Sequence, residues 1–242
     1  MQRYPLVYEG MIIQYLKKKQ LEYWFHTGLA TLENGLYERA AKYGKRIIAH
    51  YPDFSGGYDI LASALEGLGK NDAALSILEE GVKRVPQSYI LWEKLGLQHS
   101  LRQKYEEAIE CFDKAIAIED KIESLYYNKA VALANMNKLY EALACLEKII
   151  EINDEFFMAY ILQASILNRL GALSNQIEPV DKAIERMEIL RKVPFERFGV
   201  SNKHELEYKI HENLLHSYLL KEDMEKVEEL QQKLEELKKQ RK

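Results

Sequence analysis

Three histidines in the last quarter of the chain could in principle bind a metal ion. His204, His211 and His216 lie close together, and Glu207 and Glu212 each stand four residues before a histidine. Imidazole and carboxylate groups are common zinc ligands. However, the spacing is not that of the metalloprotease motif, in which a glutamate follows the first of two histidines placed four residues apart. We therefore predict no metal site and keep a metal-dependent enzyme as a distant alternative.

A glycine-containing segment and two cysteines are the remaining candidates for chemistry. Residues 67–70, Gly-Leu-Gly-Lys, resemble part of a phosphate-binding loop, but that motif needs glycine in place of Ala64 and a hydroxyl residue in place of Asn71. Cys111 and Cys145 are too few for a disulfide framework and lack the spacing of a zinc site. Cysteine is often a small buried apolar residue. We predict no catalytic residue, no cofactor and no metal.

Composition narrows the class of protein further. The 242 residues carry a formal charge of -4, with an isoelectric point near 6.0, which does not suit a nucleic-acid-binding protein. Five prolines and twelve glycines are few for a turn-rich β protein. No apolar run approaches the roughly 18 residues of a membrane span, and the first residues do not resemble a signal peptide. We expect a helical protein of the cytoplasm.

An internal repeat of 34 residues organises most of the chain. Alanines recur at this interval, as Ala40, Ala74, Ala108 and Ala142. With these alanines at position 20, the repeats begin at Leu21, Ser55, Tyr89, Glu123 and Phe157. Position 4 is always aromatic, as Trp24, Tyr58, Trp92, Tyr126 and Tyr160. Position 8 is always small, as Gly28, Ala62, Gly96, Ala130 and Ala164. Position 15 reads Gly35, Gly69, Gln103, Asn137 and Gly171.

These columns predict that each repeat is a helical hairpin. A ring at position 4 and a small residue at position 8 lie on one helical stripe, where a second helix can approach closely. We expect the small residue at position 20 to pack against position 8. Glycine or asparagine at position 15 can adopt a positive φ and turn the chain. Because one hairpin cannot bury its own apolar face, neighbouring hairpins must stack.

The pattern resembles that of tetratricopeptide repeat (TPR) proteins. The third repeat matches best, through Trp92, Leu95, Gly96, Ala108, Phe112 and Ala115. It has His99 where the family prefers tyrosine and Asp120 where it prefers proline. The resemblance implies an all-α, right-handed α-solenoid of about five to six repeats with terminal capping helices. The predicted segments are 1–20 (capping helix), 21–54, 55–88, 89–122, 123–156, 157–197 and 198–242.

The fifth repeat carries an insertion. After Gly171, the next alanine that fits position 20 is Ala183, which leaves seven additional residues. We expect an inserted loop over 172–180, either a tolerated surface insertion or a second candidate for binding.

Both ends of the chain are predicted to be helical caps. With Glu222 at position 15, residues 198–242 form a degenerate sixth hairpin, whose last helix carries Val227, Leu230, Leu234 and Leu237 at 3-4-3 spacing. A coiled-coil dimer seam is the alternative for this stripe. At the other end, Pro5 suits a first helical turn, and residues 5–19 should form an amphipathic helix. This helix would cap the first hairpin, lie in a groove or exchange into a neighbouring molecule.

The resemblance also implies where a partner binds. In the family, positions 2, 5, 6, 9, 12 and 13 line a concave groove. The candidate contact residues are Phe25, Leu29, Asp59, Ile60, Glu93, Lys94, Leu97, Leu101, Tyr127, Asn128, Val131, Met158, Ile161, Leu162, Asn168 and Arg169. The carboxylate clamp of TPR co-chaperones is not present, because no lysine stands at position 5 and no asparagine at position 9.

Charge in this groove is expected to be uneven. The acidic positions Glu22, Glu33, Asp59, Glu66 and Glu93 all fall in the first three repeats. We therefore predict an apolar peptide or protein segment with a basic end as the ligand. The predicted function is a non-enzymatic adaptor, scaffold or chaperone-like module. A homo-oligomer whose groove holds its own terminal helix is the alternative, and an enzyme accessory subunit is a more distant one.

Overall fold

Twelve helices make up the part of the chain that the structure describes. The computed structural model describes residues 6–193 and 203–240, and the side chains of 14–193 and 203–239. No strand occurs among these residues. The helices are α1 (Leu6–Glu33), α2 (Tyr37–His50), α3 (Ser55–Gly67), α4 (Asn71–Arg84), α5 (Tyr89–Leu101), α6 (Tyr105–Ile118), α7 (Glu123–Asn135), α8 (Leu139–Ile152), α9 (Phe157–Ser174), α10 (Glu178–Lys192), α11 (Lys203–Leu220) and α12 (Met224–Gln240). None of them is long and apolar enough to cross a membrane.

Consecutive helices pair as antiparallel hairpins that stack on one another, as an α-solenoid requires. The chain divides into two compact units, Met1–Asp120 with α1 to α6 and Lys121–Lys242 with α7 to α12. Within the first unit, α2 packs on α3 and α4 packs on α5, which joins neighbouring hairpins. Within the second unit, α8 packs on α9 and α10 packs on α11. The all-α fold of stacked hairpins predicted from the repeat is confirmed.

The turn inside each of the first four hairpins uses a left-handed residue at position 15. Gly35 and Gly69 have φ of 70° and 71°, and Gln103 and Asn137 have φ of 60° and 62°. In the third hairpin, the amide of Lys104 donates to the carbonyl of His99 at 3.0 Å, which closes the end of α5. This bond joins the third residue after the helix to its last turn, as in a Schellman motif. The predicted role of position 15 is confirmed.

Substituting glycine for Gln103 should stabilise the protein. A side chain in the left-handed region costs about 1–2 kcal/mol, and the entropy that glycine adds to the unfolded chain offsets only part of this. We expect the free energy of unfolding to rise by about 0.5 kcal/mol. Urea denaturation of the Gln103→Gly protein measures this change in the free energy of unfolding. Lys104→Gly is the control. The φ of Lys104 is −87°, so glycine relieves no left-handed strain there and the free energy of unfolding should fall. A Gln103→Gly protein less stable than the wild type would contradict this.

The first helix differs from the prediction. α1 is a single helix of 28 residues from Leu6 to Glu33, so no boundary separates a capping helix at 1–20 from the first repeat. The junction, Lys18-Lys19-Gln20-Leu21, holds good helix formers and neither glycine nor proline, so nothing ends the helix there. Pro5 lies outside the described residues.

The insertion in the fifth repeat forms helix rather than the expected loop over 172–180. α9 has 18 residues whereas α7 has 13, and only residues 175–177 separate α9 from α10. The left-handed turn residue is Asn175, with φ of 52°, and Gly171 lies inside the helix. Gly171 instead lets Val180 of α10 approach, since a Cβ at this glycine would collide with the Val180 side chain. The predicted boundary between 197 and 198 lies outside the described residues.

At Gly96, the side chain nearest to position 8 is not the small residue expected at position 20. A Cβ added to Gly96 would lie 2.6 Å from the ring of Phe112, which is fully buried. Phe112 lies one helical turn beyond Ala108 in α6, so the nearest side chain belongs to position 24 and not to position 20. The glycine is required because an aromatic ring occupies the space that a methyl group would need.

The last hairpin buries its apolar stripe within the chain. Val227, Leu230, Leu234 and Leu237 of α12 are all buried, and α12 packs on α11. Glu222 takes the predicted left-handed turn, with φ of 57°. Because the stripe already packs on α11, it is not free to form a coiled-coil dimer seam.

Candidate protein-binding surface

An apolar stripe lies exposed along α5 in the first unit. Ile90, Leu97 and Leu101 have exposed fractions of 38%, 39% and 76%. Their spacing of seven and then four residues places them on one side of the helix. The same helix buries Leu91 and Leu95 on its other side. We call these three side chains the α5 stripe.

Polar side chains beside the α5 stripe connect α5 to α3. Lys94 forms an ion pair with Asp59, and its ammonium group also donates to the hydroxyl of Ser63. One turn further along, the side-chain amide of Gln98 donates to Glu66 at 2.6 Å. Both contacts join the first helices of adjacent hairpins. They hold the α5 stripe in a defined position next to α3.

Arg102 extends this set of contacts to α4. Its guanidinium donates to the side-chain oxygen of Gln98 at 2.6 Å and to the carboxylate of Asp72 at 3.0 Å. Lys94, Gln98 and Arg102 are spaced four residues apart, so Lys94 and Gln98 form one edge of α5 and Arg102 continues this edge just after the helix ends. We call these three residues, together with Asp59, Ser63 and Glu66, the α3–α5 polar ladder.

The polar ladder changes the expected charge of this surface. Asp59 is neutralised by Lys94, and Glu66 accepts a hydrogen bond from Gln98. Glu22 forms an ion pair with Lys19 at 3.1 Å. The acidic half predicted from the sequence is therefore partly compensated inside the chain. This weakens the argument for a basic end on the ligand, whereas the apolar contacts remain available.

Two predicted contact aromatics pack against other rings of the chain. In the first unit, the rings of Phe25 and Phe54 lie 5.2 Å apart in an edge-to-face arrangement. In the second unit, Tyr127 and Phe156 lie 5.8 Å apart. Burial raises the pKa of the Tyr127 hydroxyl above its usual value. Both pairs join position 5 of one repeat to the residue that precedes the first helix of the following repeat. These rings therefore stabilise the stack of hairpins and expose only part of their area.

Two of the predicted contact residues are buried and cannot meet a partner. Ile60 is fully buried in the core, where it lies against Gly28 of α1. Asn168 is also buried, and its side chain accepts from Ser217 at 2.8 Å and donates to the carbonyl of Asn213 at 3.3 Å. Both positions face the adjacent first helix rather than solvent, which their helical spacing alone did not show.

The second unit contains a hollow between its two longest helices, α9 and α11. Its volume is about 690 Å³, and its walls include Ser165, Arg169, Ala172, His216 and Leu219. We call it the α9–α11 hollow. Arg169 donates to the carbonyl of Ala134 at 2.9 Å, which fixes the guanidinium at the edge of the hollow.

The other predicted contact residues are partly exposed on first helices. They are Leu29 on α1, Glu93 on α5, Asn128 and Val131 on α7, and Met158, Ile161 and Leu162 on α9. Ile161 also packs against the core of the second unit.

The three histidines do not converge on one point. His211 is buried, and its Nδ1 lies 2.7 Å from the carbonyl oxygen of Glu207. His204 is exposed near Glu207, and His216 is exposed in the α9–α11 hollow. Within residues 6–193 and 203–240, no group of three or more histidine, cysteine or acidic side chains could hold a metal ion.

The two cysteines lie in different units and form no disulfide with each other. Cys111 is buried in the first unit, and burial raises the pKa of its thiol to about 11. Cys145 is partly buried in the second unit. A thiol with so high a pKa is almost entirely protonated at neutral pH, so Cys111 is a poor nucleophile.

Sequence reasoning missed the polar ladder. Ser63 stands at position 9, which the resemblance places in the groove, whereas Gln98 and Arg102 are not among the candidate residues. Acceptors on α3 and donors on α5 recur at intervals of three to four residues, and this shared period was the available signal. Which donor meets which acceptor depends on the stagger between two helices that are not consecutive in the chain.

Comparison with known proteins supports the repeat assignment. Residues 61–121 and 123–156 match the tetratricopeptide repeat family. A curated relative is the N-terminal acetyltransferase A complex auxiliary subunit NAA15 of Arabidopsis thaliana, 28% identical over 94 residues, which are 38% of this chain and 10% of that protein. The chain thus spans about a tenth of the length of the curated relatives it matches.

Solved structures share the fold at low identity. PilF of Pseudomonas aeruginosa superposes with a TM-score of 0.71 and 15% identity, over 91% of this chain and 92% of that one. YrrB superposes with a TM-score of 0.59 and 18% identity, over 82% of this chain and 93% of that one. At such identities the likeness concerns architecture. The periodic columns, the left-handed turns and the matches to both segments agree, so the chain carries tetratricopeptide repeats.

Proposed function

We propose that this protein binds a segment of a partner protein through the α5 stripe. The observation that carries the proposal is the exposure of Leu97 and Leu101 beside the α3–α5 polar ladder. Burying exposed leucines against a partner is favourable, and a fixed polar edge can orient the bound segment through hydrogen bonds. The partner should therefore offer apolar side chains in a row, next to groups that can bond with the carboxylates of the polar ladder.

The comparisons support the general class of this function. The tetratricopeptide repeats and the structural neighbours support a protein-interaction module as the function. The repeat fold is typically a non-catalytic scaffold. YrrB is described as a TPR protein with an unusual peptide-binding site. A peptide ligand for the present chain is consistent with that precedent. An adaptor, scaffold or chaperone-like role in the cytoplasm would follow from such binding.

A role as an enzyme accessory subunit is the second candidate. The curated relatives are auxiliary subunits of N-terminal acetyltransferase complexes. The matched stretch covers only 94 residues, so it supports an accessory role through shared repeats rather than through a shared activity. In this case the partner on the α5 stripe would be a catalytic subunit.

Site-specific photocrosslinking in cells tests the proposal. A photoreactive amino acid at Leu101 should form a covalent adduct with the partner, because this side chain is the most exposed of the stripe. The control is the same probe at Glu110, which is exposed on α6 in the same hairpin. Mass spectrometry of the adduct separates a catalytic subunit from other partners. Adducts formed at Glu110 and not at Leu101 would place the contact elsewhere.

A further inference from the structure

The outer side of α2 carries a row of exposed cations. Arg39, Lys42 and Arg46 follow one another at intervals of three and four residues, so they lie along one side of the helix. The row is about 10 Å long at ~1.5 Å per residue. We call these three residues the α2 basic ridge. Because α2 is the second helix of its hairpin, the ridge shares no residue with the predicted groove or with the α5 stripe.

A depression of about 480 Å³ lies beside the α2 basic ridge. The ridge side chains form its walls together with Leu36, Glu38 and Tyr43. Leu36 is 48% exposed and Tyr43 is half-buried, so the depression offers apolar area between the cations. Glu38 stands in the first turn of α2, where a carboxylate is favourable to the helix dipole. Lys45, also exposed on α2, adds a further cation.

The charges of the α2 basic ridge are not used inside the chain. Among residues 14–193 and 203–239, no carboxylate forms an ion pair with any of its three side chains. Arg46 instead lies over the ring of Trp24, 5.2 Å from its centre, which holds the guanidinium in place. Lys94 and Arg102 of the same unit, by contrast, are paired with carboxylates. The ridge is therefore free to meet an anionic group from outside.

The surroundings of the ridge keep it positive. Residues 14–54 contain seven lysines and arginines against four acids, whereas residues 55–120 contain seven against twelve. Of the four acids, Glu22 and Asp53 already pair with cations. The first hairpin is thus the positively charged part of the first unit, and its charge favours an anionic partner.

The acidic helices that follow α2 favour a short partner over a long polyanion. Glu79 and Glu80 are exposed on α4, and Glu106 and Glu110 are exposed on α6. A nucleic acid or an anionic membrane extends well beyond a ridge of about 10 Å, which is close to the screening length of ~8–10 Å. Such a partner would meet these carboxylates and be repelled. A protein segment with a few acidic side chains meets the ridge alone.

We propose that the α2 basic ridge binds an acidic segment of a partner protein. Two or three aspartate or glutamate side chains of that segment would pair with the ridge, and an apolar side chain would enter the depression beside Leu36 and Tyr43. This inference goes beyond the proposed function and uses a different helix, so each can fail without the other.

Fluorescence anisotropy with the full chain tests the proposal. The probe is a labelled peptide of about 12 residues, with glutamate at every third or fourth position and leucine between, which covers the ridge at ~1.5 Å per residue. Arg39→Gln with Lys42→Gln and Arg46→Gln should weaken binding about tenfold at low salt, since three exposed charge contacts are lost. A wild type that does not bind at about 1 mM peptide would overturn the proposal.

A matched variant separates the ridge from the net charge of the protein. Lys70→Gln with Lys83→Gln and Lys121→Gln also removes three exposed cations, but outside the ridge. It should bind the peptide as the wild type does. Equal binding by the two triple variants, whether both retain or both lose affinity, would overturn the proposal.

Other occupants of the ridge are distinguished with the same variants. Tighter binding of a short single-stranded RNA or of phosphatidylserine vesicles than of the peptide, lost in the ridge variant, would overturn the assignment to an acidic protein. Self-association of the wild type in sedimentation, lost in the ridge variant, would assign the ridge to a second copy of the chain and also overturn it. We expect neither result.

Discussion

Replacing Phe112 with alanine is expected to lower the free energy of unfolding by about 3–5 kcal/mol. The ring is fully buried and fills the space beside Gly96, where α5 and α6 approach within one hairpin. Removing it takes away apolar contacts and leaves a cavity in a closely packed interior. Urea denaturation monitored by circular dichroism measures the change. The control Tyr140→Ala removes a ring that is 75% exposed on α8, and should change stability by less than about 0.5 kcal/mol.

The effect of Gly96→Ala on the free energy of unfolding should change sign when Phe112 is replaced by alanine. In the wild type, Gly96→Ala should destabilise, because the new Cβ would lie 2.6 Å from the Phe112 ring. In the Phe112→Ala background the clash is removed. Alanine should then stabilise α5 by about 0.5–1 kcal/mol through its higher helix propensity. A cycle in which Gly96→Ala has the same effect in both backgrounds would contradict the packing of Gly96 against Phe112.

Substituting aspartate for both Leu97 and Leu101 should weaken partner binding at least tenfold. Each change places a carboxylate where the proposed complex buries a leucine, so binding would require its desolvation. Most of the loss should appear as faster dissociation, since apolar contacts at the centre of an interface control the off-rate more than the encounter rate. Surface plasmon resonance with the partner identified by the Leu101 crosslink measures both rates.

A matched variant separates this effect from a general increase in surface charge. Tyr140→Asp with Leu173→Asp also adds two carboxylates at exposed apolar positions, but outside the α5 stripe. We expect its binding to equal that of the wild type. If both double variants bind equally well, or if both lose binding equally, the α5 stripe is not the contact surface. Thermal melts of each variant confirm that the fold is retained.

The residues that the sequence placed correctly share a local cause. The left-handed turns at Gly69 and Asn137 depend on the residue at the turn itself and on one helix end. The burial of Val227 and Leu230 follows from the apolar period of a single helix. In each case the information lies within one or two helical turns, so the repeat columns were sufficient to predict it.

Helix ends at the insertion and at the first repeat were misplaced for a different reason. The repeat column predicts a turn at Gly171, but glycine is also favoured where another helix comes close. The structure uses it for the approach of Val180, and the turn moves to Asn175. Likewise, nothing between Leu6 and Leu21 ends a helix, and a repeat boundary need not be a helix boundary.

The candidate surface shows most directly what a single sequence can and cannot determine. Periodicity predicted the tetratricopeptide repeats, the hairpins and which helix of each pair carries positions such as Leu97 and Leu101. The stagger between non-consecutive helices decided that Ile60 is core and that Lys94 is neutralised by Asp59. Repeat spacing defines each residue's position on its own helix. Burial and ion pairing depend on distances to the neighbouring helix, and those are set only when the hairpins pack together.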